Sequence, residues 1–598
     1  MTNSSGRTKL ILSAMALVMV GCGVALFPTP LDVLDDRPVV RSDYPFHAFH
    51  AKIGQDFLRS HGTPYGYDPA FMAGYPKTPL FSASVNILEL FATIIPGVFR
   101  AQKILTAAIP FLCLILFFVG ATGFGYDENT IGLALFVMTA LFWLSLPLIF
   151  ILEGLLGFLL GIHLAFAALG RLEAGLLHGS LESYYLLMIM AMWVHPHTLL
   201  LTLALSGLRV LFPVEPKLRI RVLTPCIAIA ATLLSFYFCH GDIIQSGRMP
   251  AFWTTSDWFE PFLYYLNLEP NQQQSGFLEL VLICLALAEC FRRESSNGER
   301  CLGLAIIGGF LVAFYLSFVP GLAQFEPRRH TATIALLGVG PACAWLVRAY
   351  DRYPQIKVVG VLSLIGLAGF VVQTAIGFRG ILPVGLSSHQ QSVVDWIRTE
   401  APREGRILVE DSLYGPPFRG EEDTAYGLIP LLPILTGRQF VGGPCASGPL
   451  KHSFVDAVDG KAFRKPMSDV SYFLKGLDLY GVSTLLVWSK EAYTAAVALQ
   501  GTKRVKVLGR LVAFTRPPPS LILEGRGQAQ LTGRGLEVKT NHPPPEKLVL
   551  SLHHDDRLSL QSTSPREGTQ LIPQLIWDDP VGFLTVLNPP EEFSITAR

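Results

Sequence analysis

Charge is scarce in this chain. Asp, Glu, Lys and Arg make up 16% of its 598 residues, against about 25% in an ordinary soluble domain. The 47 basic and 46 acidic side chains nearly cancel, leaving a net charge of +1. No global field would draw in a polyanion, and a nucleic-acid binder is excluded. Cysteine is equally uninformative: eight of nine lie in or beside apolar runs and only Cys445 is in the tail. There is therefore no disulfide framework and no CxxC metal pair. The sequence also lacks a Walker motif, GxSxG, HExxH, a spaced Asp loop for calcium, an internal repeat and any low-complexity tract.

What the chain has is apolar length. Hydrophobic residues reach 51% and mean hydropathy is +0.42, which excludes a disordered protein and a coiled coil. A bilayer core needs roughly 20 apolar residues of helix. Runs of that kind fall at about 10–28, 103–121, 130–150, 151–170, 183–195, 197–212, 222–240, 277–291, 301–319, 331–348 and 357–377. The pattern predicts a polytopic α-helical membrane protein of about eleven spans. Pro147 and His195-Pro196 are expected to mark tight hairpin tips, because proline removes a donor and disfavours helix in its predecessor. With the N-terminus in the cytoplasm, thirteen Lys and Arg of short loops lie inside. The short loops on the other side carry only Arg248, Arg328 and Arg329, as the positive-inside rule requires. The chain is thus expected in the cell inner (plasma) membrane with everything after residue 380 extracytoplasmic. Val20-Gly21-Cys22 approaches a lipoprotein cleavage box, but cleavage of the first run would leave the sidedness unchanged.

Three regions are expected: a transmembrane domain at 1–380 that includes an exterior loop at 29–102, an exterior α/β domain at 381–516, and a β-sandwich-like domain at 517–598. Helix-then-strand patterns at 388–410 and 473–488 suggest the α/β layer, and Pro517-Pro518-Pro519 marks its end. Short alternating runs between Gly and Pro follow it.

The exterior loop is the richest stretch for chemistry. Asp35, Asp36 and Asp43 follow the first run closely, and His47 and His50 share one face of a helix beginning near Pro45. The apolar spacing continues through Ile53, Phe57 and Leu58, as in a helix lying at the membrane interface. A carboxylate there can act as general base on an acceptor hydroxyl while a lipid-borne donor approaches from the bilayer. The same residues also fit plainer roles, with Asp35 and Asp36 capping a turn and Asp43 capping the helix. Glu153, His195 and His197 sit near the two exterior tips. Glu326-Pro327-Arg328-Arg329-His330 opens a span outside, where paired guanidiniums suit a phosphate or anionic headgroups. Trp253 and Trp258, with Asp257 and Glu260, suit sugar stacking or an interfacial aromatic belt.

The order of pieces in the loop, Asp43-x3-His47, Gly62-Thr63-Pro64, Asp68-Pro69 and Gly74-Tyr75-Pro76, resembles the GT-C superfamily of multi-span glycosyltransferases. More closely it resembles the bacterial and archaeal membrane proteins said to carry a 6-pyruvoyl-tetrahydropterin-synthase-related domain, although nothing in the residues supports pterin chemistry. One departure is Tyr65 in place of Trp. The resemblance implies a glycosyltransferase that uses a polyprenyl-phosphate sugar donor, with a glycan, lipid or protein of the envelope as acceptor and membrane lipid as its surroundings. It implies that a first-loop Asp is the catalytic base, either Asp43 or Asp36, with His47 beside it. Glu153, His195, His197, Arg328, Arg329, Trp253 and Trp258 would contact substrate. Some relatives use a divalent metal, but no ligand set is legible in this chain. The rival readings are a transporter or flippase of an envelope precursor and a non-catalytic scaffold binding envelope glycan. Ionisable residues gathered at one membrane face disfavour the transporter, and eleven spans exceed what an anchor requires.

Overall fold

A computed structural model describes residues 6–78, 86–239, 277–315, 327–353, 356–411, 427–442, 450–533 and 535–597. The chain divides into two compact units.

The first unit holds residues up to 36, 83–239 and the described part of 246–384. Its helices are α1 (Gly6–Ala25), α3 (Asn86–Ile94), α4 (Val98–Gly123), α5 (Glu128–Leu144), α6 (Leu146–Leu152), α7 (Leu156–His178), α8 (Glu182–Val194), α9 (Pro196–Leu211), α10 (Pro216–Cys239), α11 (Phe277–Cys290), α12 (Asn297–Tyr315), α13 (Thr331–Arg352) and α14 (Ile356–Gly377). Every apolar run of the sequence falls on one or more of these helices. Among the described residues α1, α4, α7 and α13 are each long and apolar enough to cross a membrane, and the bent pair α5–α6 adds a fifth. This is a polytopic membrane protein.

Small residues set a close helix crossing between α4 and α7. A Cβ on Gly170 would lie 2.1 Å from the Gly120 carbonyl oxygen, and one on Gly123 would lie 2.4 Å from Gly170. Backbones in lipid approach this closely only through glycine-type residues. Phe117 and Phe166 stack across the same α4–α7 contact at 5.0 Å.

The hairpin expected at Pro147 is displaced. The chain breaks at Ser145, which is extended (φ −142°), and Pro147 opens α6, where a missing N–H costs nothing. The reversal comes at Glu153-Gly154-Leu155, with Gly154 at φ 80° and Glu153 closing α6. His195 does separate α8 from α9, with Pro196 in the first turn of α9.

The second unit unites Arg37–Ser82 with Gly385–Arg598. Residues 37–78, read above as part of the helical domain, thus pack with the tail. They form α2 (Tyr44–His61) and a hairpin of β1 (Gly66–Asp68) and β2 (Tyr75–Lys77). The tail begins with α15 (Ser388–Thr399), started by a Ser387/Gln390 capping box. A five-stranded sheet follows, built from β3 (Arg406–Val409), β4 (Phe440–Val441), β8 (Val482–Val487), β9 (Lys503–Leu508) and β10 (Leu511–Thr515) in the order β4-β3-β8-β10-β9, while β5 (Ala457–Val458), β6 (Lys461–Ala462) and β7 (Lys465–Pro466) pair in a small sheet of their own. β3 is parallel to both β4 and β8, as helix-connected strands are, and β10 is antiparallel. Beyond Pro519, two antiparallel four-stranded sheets enclose Leu536, Val538, Leu548, Leu550, Leu584, Val586 and Ile595. Alternating burial along Gly535–Thr540 is what a half-buried strand shows.

Candidate functional site

The candidate residues fall in both units. In the helical unit, Asp35 and Asp36 end up serving the start of α4. The Lys103 ammonium, fully buried, lies 3.2 Å from the Asp35 carboxylate. Asp36 accepts the Arg100 N–H at 3.2 Å and so caps the helix. The preceding Gly97, at φ 88°, has no room for a Cβ, which would lie 2.3 Å from the same carboxylate.

A second cluster gathers at one end of this unit. The Phe158 ring, in the first turn of α7, meets His195 edge-on at 5.3 Å and His330 at 5.4 Å. His195 precedes α9 and His330 precedes α13, so all three helices begin at the same end. Gly161 allows this approach, since a Cβ there would lie 3.1 Å from the His195 Cβ. Glu153 lies in the turn just before α7, and the fully buried Glu279 faces the Ser145 hydroxyl at the α5–α6 break. His197 lies in the first turn of α9. Arg328 and Arg329 share the single 3-10 turn Pro327–His330 that leads into α13. The C-terminal ends of α7 and α9 are tied together by Arg209 and Glu173 at 2.5 Å, and those of α13 and α11 by Arg348 and Glu289. Trp253, Trp258 and Glu326 lie outside the described residues.

In the second unit, Asp43 opens α2. Its carbonyl accepts the His47 N–H at 2.9 Å, while its carboxylate makes no capping bond. The helix ends on Gly62 at φ 74°, whose N–H closes onto Leu58. Asp43 and His47 lie one turn apart on one face, and His47 is buried. His50, one turn further, shares a 2.6 Å hydrogen bond with the Tyr75 hydroxyl and lies against Phe46 at 4.2 Å. Burial first, then the neighbouring Lys77 and His47, hold the His50 imidazole well below its usual range, so it is neutral at pH 7. Lys77 is fully buried; its ammonium donates to the Pro64 carbonyl at 2.9 Å and lies 5.0 Å from the Tyr65 ring centroid. Tyr65 supplies a π face there just as Trp would. Tyr75 belongs to the Gly74-Tyr75-Pro76 piece of the loop, whereas Lys77 and Glu279 carry no mark in the sequence. A buried Lys in a short strand leaves no sequence signature.

The remaining motif residues fix the arm's shape. The Asp68 carboxylate accepts the Ala70 N–H at 3.0 Å, an Asx-type turn. Met72, Ala73 and Gly74 all have positive φ. Residues 70–72 then bond to Phe440 of β4, with Phe440 N–H to the Ala70 carbonyl at 2.9 Å and Met72 N–H to the Phe440 carbonyl at 3.0 Å.

Beneath the arm lies a buried polar network. The Tyr67 hydroxyl donates to the His553 carbonyl at 2.7 Å, and the His553 N–H donates to the Ala73 carbonyl at 2.7 Å. The His553 ring and the Tyr480 hydroxyl both bond the buried Asp579 carboxylate. The Arg406 guanidinium, pushed down to about 10 chiefly by burial, still carries its charge at pH 7. It donates to Gln439, to the Tyr480 carbonyl and to Ser551.

Among the described residues no three His, Cys, Asp or Glu side chains group so as to hold a metal ion.

No family model matches the chain, and no curated protein matches it. A solved structure does. The oligosaccharyltransferase of Archaeoglobus fulgidus, crystallised with a tethered acceptor peptide, aligns at TM-score 0.50 and 10% identity over 81% of this chain and 70% of its own. ArnT from Cupriavidus metallidurans, bound to undecaprenyl phosphate, aligns at TM-score 0.48 and 14% identity over 84% of this chain and 97% of its own. The first of these likenesses shows the fold alone: the chain folds like the aligned part of that oligosaccharyltransferase.

Proposed function

We propose that this chain transfers a sugar from a polyprenyl-phosphate carrier to an extracytoplasmic glycan, lipid or protein acceptor. A fold does not by itself specify an activity. The observation that carries the reading is Asp43, which opens α2 just beyond the first apolar helix with His47 one turn on. Support comes from the polar cluster at the start of α7, α9 and α13, and from the neighbours, an oligosaccharyltransferase and a protein bound to undecaprenyl phosphate. The acceptor hydroxyl gives its proton to Asp43 as its oxygen bonds to the anomeric carbon. The bond from that carbon to the carrier phosphate breaks, and Arg328 and Arg329 take up the charge left on the phosphate. His47, Glu153, His195 and His197 contact the substrates in this scheme.

Deleting the chain from its host and profiling both lipid-linked and envelope glycans tests the reading. The expected result is accumulation of one polyprenyl-phosphate sugar and loss of that sugar from one envelope glycan, lipid or protein. Unchanged profiles in both pools would overturn it.

The exterior site needs the proposed sidedness, which rests on the thirteen-to-three bias of basic residues and on all eleven apolar runs crossing. A reporter active only outside the cytoplasm should be active when fused after residue 380. It should be silent when fused at Ser296, in the basic turn between α11 and α12. The reverse pattern would move the site to the wrong face.

A further inference from the structure

We propose that Tyr472 and Trp577, on the C-terminal unit, form a saccharide-binding platform that takes a chain of neutral pyranose units. The two rings lie 4.2 Å apart, inclined by 40°. Both are half-buried at the margin of the core. The buried rings of Phe454 and Phe463 support Trp577 from within at 5.7 and 5.8 Å.

The segment that displays the tryptophan is held firmly. Asp579, two residues on, is buried, with one carboxylate oxygen on the His553 ring at 2.7 Å and the other on the Val581 N–H at 2.8 Å. Trp577 itself sits at φ 61°, a conformation bulky side chains rarely adopt and keep only where the surroundings impose it. A platform ordered in advance binds without first losing its freedom.

The rim carries both signs of charge. The Tyr472 hydroxyl donates to Asp578 at 3.1 Å, and the Lys465 ammonium lies 3.5 Å from the same carboxylate and 3.8 Å from the Tyr472 ring centroid. Lys475 lies 5.8 Å from the Trp577 ring centroid. Asp578 and Lys465 are each about half exposed, at 56% and 47%, so both can turn to a ligand. The C–H face of a pyranose covers an aromatic face, and its hydroxyls require donors and acceptors side by side, which Lys465, Lys475 and Asp578 supply. An anionic lipid surface would call for unopposed cations, and here Lys465 is matched by Asp578.

As a holder of acceptor glycan the platform rests on the glycosyl-transfer reading, but saccharide binding alone does not. Binding is therefore measured on the full chain in detergent with no donor present, using cellohexaose, chitohexaose and mannohexaose by titration calorimetry. At least one should bind saturably, and Trp577→Ala should weaken it about thirtyfold or more, as loss of a central aromatic anchor does. Should that variant fold poorly, Asp578→Ala and Lys475→Ala, both at exposed positions, should still weaken binding while melting as the parent does. Asp43→Asn should bind like the parent while failing to transfer, which separates this site from the chemistry. Absence of saturable binding to all three probes, or full affinity in the well-folded platform variants, would overturn the proposal.

Discussion

Asp43→Asn is expected to lower glycosyl transfer about a hundred- to ten-thousand-fold, the usual contribution of a general base, with the chain still folded. The substitution keeps size and hydrogen-bonding capacity and removes the charge and most of the basicity. Folding should survive because the Asp43 carboxylate does not cap α2; the helix start depends on Pro45 in its first turn and on the Asp43 backbone carbonyl. The loss should fall on kcat with KM nearly unchanged, since the interaction removed grows only as the proton moves. Asp36 is the internal comparison. Its carboxylate is already committed to the Arg100 amide and pressed against Gly97. Asp36→Asn should therefore cost some stability, about 0.5–2 kcal/mol for a weakened cap, and leave transfer largely intact. A glycan-binding scaffold would tolerate both changes. Full transfer by Asp43→Asn would eliminate it as base and turn attention to Asp36, and full transfer by the double variant would sink the mechanism.

The two carboxylates show how far sequence reasoning reached. Both follow the first apolar run, and only the tertiary fold separates a cap at the start of α4, 64 residues on, from a residue that opens α2 without capping it. Helix periodicity and apolar length are local properties, so the apolar runs and the helix–strand alternation of the tail could be read directly. Breaks were harder. Proline at 147 looks like a turn, yet proline is as suited to a helix's first turn, and the reversal belongs to Gly154, where positive φ is available at no steric cost. Contacts between distant segments were not legible at all. The Tyr67–His553 bond spans 486 positions, and Phe158 gathers the histidines that precede α9 and α13, which no spacing rule connects. The burial of Lys77 and Glu279 is equally a product of tertiary packing.

Those long-range contacts give the Gly-Tyr-Pro piece of the loop a physical meaning, and Gly74→Ala is expected to abolish transfer by displacing the arm rather than by touching the reacting groups. A Cβ on Gly74 would lie 1.4 Å from the Tyr67 hydroxyl oxygen and 2.2 Å from its ring carbon, and the residue sits at φ 130°. Forced overpacking costs about 1–3 kcal/mol and a disallowed backbone about 1–3 kcal/mol more, so roughly 2–6 kcal/mol falls on one hairpin. Tyr67 cannot yield: it is fully buried in the core of the two terminal sheets, and its hydroxyl is bonded to the His553 carbonyl. The hairpin must yield instead. With it would go the Tyr75 hydroxyl that holds His50, one turn from His47 on α2. The variant should become sensitive to protease within 62–78 and lose transfer, while detergent-solubilised chain is still recovered. Tyr67→Phe is the milder counterpart: it keeps the ring and leaves the His553 carbonyl without that donor, a cost of about 1–3 kcal/mol, so transfer should fall only in part. If Gly74→Ala transferred sugar at the parent rate and resisted protease equally, the hairpin would not be what positions α2, and the tail would have no part in arranging the reaction.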